Sequence, residues 1–133
     1  MMRMIEFNNE ILAIIVKNEY SLPETGIKFF TPQNMTLQLG FMKREKGYSI
    51  VPHYHTSQIR NIKNTSEVLF IKRGRVLATI CDFDLKFCEK EVLNQGDFIM
   101  LAKCVHSFEM LEESEMIEIK QGPYNQEMDK QKL

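Results

Sequence analysis

Short apolar runs broken by turn residues recur along the whole chain, and no window of useful length carries a sustained helical period. That pattern predicts an all-β fold. The strands it predicts are Ile11–Lys17, Ile27–Phe30, Met35–Lys43, Ser49–His55, Val68–Ile71, Arg75–Cys81, Lys90–Leu93, Phe98–Leu101, His106–Leu111 and Met116–Lys120. Turn chemistry separates several of them: Leu22-Pro23, Arg44–Gly47, Lys72–Gly74, Asn94–Asp97 and Gly122-Pro123. Regular short strands at this density predict a closed barrel or a jelly-roll sandwich rather than an α/β fold. A chain of 133 residues can bury a core without disulfides or a structural metal, so one domain is expected over residues 1–124, with additional strands at its N-terminal end. The remainder, Asn125–Leu133, is a polar tail, frayed or forming one helical turn, to which no function is assigned.

Charge narrows the partners. The 17 basic and 18 acidic residues are scattered and give a net charge of −1, so no basic stripe argues for nucleic acid, and a small neutral or anionic ligand fits better. The apolar run Ile11–Val16 is too short for a signal peptide, and a membrane span needs about 20 residues. No membrane partner is expected, and the reading is a cytoplasmic protein. Cys81, Cys88 and Cys104 form no CxxC pair and are odd in number, so reduced thiols are expected rather than a disulfide framework. The nine methionines are expected mostly to fill the core.

Two of the three histidines stand in "GYSIVPHYH", Gly47 to His55. On an extended strand His53 and His55 project to one face and Tyr54 to the other. Two residues of strand rise about 6.6 Å, a separation from which two imidazoles can converge on one ion. The alternative is two half-exposed histidines on an ordinary strand. After eleven intervening residues Glu67 opens the apolar strand "VLFI", and a carboxylate at the start of a buried strand needs a partner, of which a cation is one kind. Gly74 then allows a tight turn. Downstream, Gly96-Asp97 opens "FIML", and His106 follows with nine residues between it and Gly96. For His106 the alternative is a core or rim histidine bonded to backbone.

Gly47-x5-His53-x-His55, then Glu67-x6-Gly74, then Gly96-Asp97 leading to His106, resembles the two-part signature of the cupins, over about Lys43 to Leu111. The resemblance implies a small double-stranded β-helix barrel, antiparallel, whose metal ligands are His53, His55, Glu67 and His106. Three features depart from the family pattern: the stretch between His55 and Glu67 is longer than usual, "LAKCVH" replaces the usual proline and glycine before the last histidine and brings it one residue early, and Met110 stands where asparagine is frequent.

Three imidazoles and one carboxylate leave positions open on an octahedral ion and suit Fe(II), Mn(II), Ni(II) or Zn(II) without choosing among them. An open position permits isomerase, epimerase, oxygenase or hydrolytic chemistry. In the barrel the stretch "TSQIRNIKNTS" lies at the mouth above the ion, where Arg60 is a candidate substrate contact, with Lys63 beside it, for an anionic or sugar-like ligand; a solvated loop is the alternative. Gln58 is a further candidate ligand. Cys104 is either a thiolate ligand favouring zinc or a small buried apolar residue. Tyr48 and Tyr124 are acid–base candidates or packing residues.

The leading functional expectation, by analogy with cupins of this size, is a metal-dependent enzyme acting on a polar metabolite, a sugar derivative first. The competing ones are a non-catalytic binding or sensing module and a metal-free sugar-nucleotide isomerase in which a histidine acts as base. Strands apolar on both faces, such as "VLFI", suggest cover by another chain, and a homodimer is expected.

Overall fold

Runs of β-branched and aromatic residues form strands throughout, and the chain contains no helix. The computed structural model describes residues 1–133. Its ten strands are β1 (Met2–Phe7), β2 (Glu10–Val16), β3 (Gly26–Phe29), β4 (Gly40–Lys43), β5 (Glu67–Arg73), β6 (Arg75–Cys81), β7 (Cys88–Asn94), β8 (Phe98–Leu101), β9 (Val105–Met110) and β10 (Glu115–Lys120). Every pairing is antiparallel. A five-stranded sheet has the order β1-β2-β8-β5-β10, a three-stranded sheet the order β7-β6-β9, and β3 and β4 form a separate hairpin. The all-β, antiparallel expectation holds. Both larger sheets are open, one ending on β1 and β10 and the other on β7 and β9.

Alternation along the strands builds the core. Ala13, Ile15, Leu69, Ile71, Ile99 and Leu101 face inward from the large sheet, and meet Val76, Ala78, Ile80 and Leu93 from the small one. The intervening residues Ile14, Val16, Val68 and Met100 face the other way and are covered by Phe30 together with Tyr20, Leu37, Leu39 and Phe41. The outer side of "VLFI" is thus covered at Val68 by the chain's own residues, whereas Phe70 is only half-buried. Of the nine methionines only Met100 is buried, against the expectation that most would fill the core.

Three strand expectations are corrected. β1 went unpredicted, although Asn8 and Asn9, with φ of 51° and 60°, make the two-residue turn with two positive φ values that joins it to β2. The predicted strand Met35–Lys43 shortens to β4, because Gln38 ties itself to the Met35 and Pro32 carbonyls and to Thr31, closing a loop where a ladder would run. Ser49–His55 is not a strand in this chain: no neighbouring backbone pairs with it, and a strand needs a partner for its N–H and C=O groups.

The expected reduced cysteines are also corrected. Cys81 closes β6 and Cys88 opens β7 as register partners with Cα atoms 4.2 Å apart, and they form a disulfide, leaving Cys104 as the free thiol. The loop this bridge closes is short, so the Cys81→Ser/Cys88→Ser variant is expected to lose about 2 kcal/mol in a denaturant titration. Thiol titration of unfolded, unreduced wild type should then count Cys104 alone. No helix is long and apolar enough to cross a membrane.

Candidate functional site

The open end of the sandwich positions one polar pair. Glu67 is the first residue of β5 and shares the inward face with Leu69 and Ile71; on β9, His106 stands opposite Ile80 and shares the inward face with Phe108. The two side chains therefore approach from opposite sheets, with His106 Nε2 3.0 Å from Glu67 Oε1. The Glu67 side chain is 14% exposed and that of His106 35%, so the contact sits at the mouth of the sandwich rather than in its depth.

The β5–β10 register adds two groups that the sequence did not single out. Lys120 stands opposite Glu67, and Glu118 opposite Leu69, so both share the inward face of the large sheet. The hydrogen bond from His106, with a second from Glu118, holds the Glu67 carboxyl at about 2 although burial pulls it up. Glu118 is pushed the other way, first by its hydrogen bond to Glu67 and then by burial. Lys120 is raised by its bond to Asp129 at 2.9 Å, which draws the C-terminal tail back onto the end of β10. The only signal for these residues was their two-residue spacing with Met116, which places them on one face of a strand.

Cys104 lies 3.9 Å from His106 Nδ1. Burial, with the Glu67 charge adding to it, pushes its thiol up to about 12, so it is a buried neutral thiol and not a thiolate.

His53 and His55 form a second, separate pair, with ring centroids 5.5 Å apart. Both lie on an exposed arm, residues 44–65, outside any strand. His53 Nδ1 is 2.8 Å from the Val51 carbonyl, which can only accept, so Nδ1 carries the proton and Nε2 presents its lone pair. That is the tautomer of a metal-binding imidazole. Gln58 and Arg60 line a shallow polar groove with residues of the segment Gln33–Gln38, away from Glu67. Tyr48 stacks under Arg44, and Tyr124 under Lys120, as packing partners.

Comparison with protein-family models, curated proteins and solved structures gives no match. The chemistry therefore rests on the residues alone.

Two donors at about 2.1 Å from one octahedral ion and at right angles stand about 3.0 Å apart, which is the separation of Glu67 and His106. It is equally the length of the direct hydrogen bond between them, so the contact by itself does not distinguish an ion from a bond. The full set does not converge within one chain, where no group of three or more His, Cys, Asp or Glu side chains is placed to hold a metal.

Proposed function

We propose that this chain is a cupin-type enzyme, dimeric, that acts on a small polar metabolite, with a sugar derivative as the first substrate class and isomerase or epimerase chemistry as the first reaction class. The observation that carries it is the inward-facing Glu67–His106 contact at the open end of the sandwich. Glu67, ionised at any ordinary pH, accepts from His106 Nε2–H and fixes the imidazole ring, which leaves Nδ1 as the ring nitrogen able to take or return a proton. Phe108, two residues along β9 with its ring 5.8 Å from that of His106, gives the same rim an apolar neighbour suited to the C–H face of a sugar.

Under this reading the cofactor is a divalent metal ion, Fe, Mn, Ni or Zn, with Glu67, His106, His53 and His55 as ligands and Arg60 as a substrate contact. The ion would supply an electrophile for a carbonyl or enediol oxygen. A second reading, the metal-free isomerase, is favoured by the direct bond itself: the carboxylate already engages Nε2 and orients the ring as a base–orienter pair.

Elemental mass spectrometry on tag-free protein separates the two. Near-stoichiometric metal in wild type, lost in a folded His53→Ala/His55→Ala variant, is the expected result. A wild type that stays metal-free after supplementation with Fe(II), Mn(II), Ni(II) and Zn(II) would hand the chemistry to the His106–Glu67 pair alone.

A further inference from the structure

The arm, residues 44–65, is exposed at every position, and within 49–65 no backbone group takes part in a backbone hydrogen bond. Its composition is not that of a disordered linker. Tyr48, Ile50, Val51, Tyr54, Ile59 and Ile62 are all exposed, Tyr54 at 85% and Ile59 completely. Ser49–His55 has the alternation of a strand and lacks only a neighbour. Long unstructured connections of this kind inside small domains are uncommon unless they bind something.

The small sheet offers the missing neighbour. β9 pairs with β6 on one side and with nothing on the other, so its second edge is a row of free N–H and C=O groups. The inward residues of that edge are His106, Phe108 and Met110. β10 is the alternative edge, but at the Glu67 end it carries Lys120, which is engaged by the returning tail through Asp129. A strand added at β9 with its two histidines inward sets them beside His106.

The arm does not reach its own β9. Gln58, Arg60 and Asn61 sit against the Gln33–Gln38 segment, where Met35 and Leu37 pack on the outer face of the large sheet, whereas Glu67 and His106 face inward. We propose that the arm of one copy lies along the free edge of β9 in a second copy, so that His53 and His55 of each chain join Glu67 and His106 of the other and each site is shared between chains. This rests on the reading that these four residues form one site. The exchange is reciprocal and closes as a two-fold dimer, with the exposed apolar residues of both arms buried.

A metal-independent cross-link tests the geometry. In a Cys104→Ala background, His53→Cys with His106→Cys is expected to give a covalent dimer on mild oxidation, seen on a non-reducing gel and removed by thiol. A cross-link confined to one chain, or none, overturns the exchange. Should that variant fold poorly, wild type is expected to sediment at twice the chain mass and a Val51→Lys/Tyr54→Lys variant at the chain mass with a wild-type far-ultraviolet spectrum and a lower melting temperature; a monomeric wild type overturns the proposal equally. A mixed dimer of one His53→Ala/His55→Ala chain with one Glu67→Gln/His106→Ala chain reads the site separately, because exchange leaves one intact set and predicts one Zn(II) per dimer. A covalent dimer whose wild-type form takes up no Zn(II), Mn(II), Ni(II) or Fe(II) would count against the metal reading and leave the arm exchange standing.

Discussion

Asp97→Ala is expected to cost about 3–5 kcal/mol of folding stability, the range for breaking a buried, hydrogen-bonded ion pair by removing one partner. Asp97 is only 2% exposed. One carboxylate oxygen accepts from the Asn18 N–H at 2.8 Å, and the other from the Asn94 N–H at 2.7 Å and from Lys17 Nζ at 3.0 Å. Alanine leaves two amide donors and a nearly buried ammonium to find new partners. Lys17 retains Glu91 at 3.4 Å and the Val92 carbonyl, which places the loss toward the lower end of that range. Domains of this size hold about 5–15 kcal/mol in all, so even that lower end is a large fraction. Asp97→Asn keeps an acceptor and is expected to lose less, whereas Glu91→Ala, nearer the surface, should cost under about 1 kcal/mol. Urea titrations of the three variants check the order; a small loss for Asp97→Ala would mean that the turn finds other support.

The same clamp bears on the site. Gly96 N–H donates to the Ile71 carbonyl and Ile71 N–H to the Asp97 carbonyl, so the Gly96-Asp97 turn fixes β5 in the chain that begins with Glu67. Gly96 has φ of 88°, and a Cβ there would run into the Asn18 side chain, which explains the glycine without reference to a ligand.

What the sequence made legible follows from the range of the interactions involved. Strands buried on one or both faces announced themselves by local pattern, and Glu67 stood out because a carboxylate at the head of "VLFI" has no place in a core without a partner. Its partner is His106, one of the residues singled out. β1 was missed despite the Asn8-Asn9 turn, because "MRMIEF" mixes charge into the apolar alternation. The Cys81–Cys88 bridge was illegible because it depends on the β6–β7 register and not on spacing alone. Glu118 and Lys120 were overlooked for the same reason, since only the β5–β10 register brings them to Glu67. Ser49–His55 shows the opposite failure: its local pattern is that of a strand, but pairing is a non-local property and its own chain provides no neighbour. The four expected ligands accordingly appear as two pairs, and their union depends on where the arm goes.

The double variant Glu67→Leu/His106→Leu is expected to be at least as stable as wild type, by up to about 1–4 kcal/mol, while losing Zn(II) binding. Replacing a buried polar pair by apolar side chains is frequently neutral or stabilising, because the desolvation of both groups is removed together with their attraction. Here the leucine at 67 would stand opposite Leu101 and next to Leu69 in the inward layer, continuing the core to its rim. His106 is a third exposed, which puts the gain near the bottom of the range. Glu118 reports the same change from outside the pair: without the Glu67 acceptor its carboxyl should fall back toward the ordinary range, visible in carbon-detected titration. A pair retained as a fastener supplies stability, so a loss on replacement is the outcome that tells against the site. If the double variant instead unfolds more easily by more than about 1 kcal/mol, Glu67 and His106 hold the two sheets together and the site reading loses its principal support. If it gains stability, the pair is not what holds the two sheets together, and the reading of Glu67 and His106 as a site rather than a fastener stands.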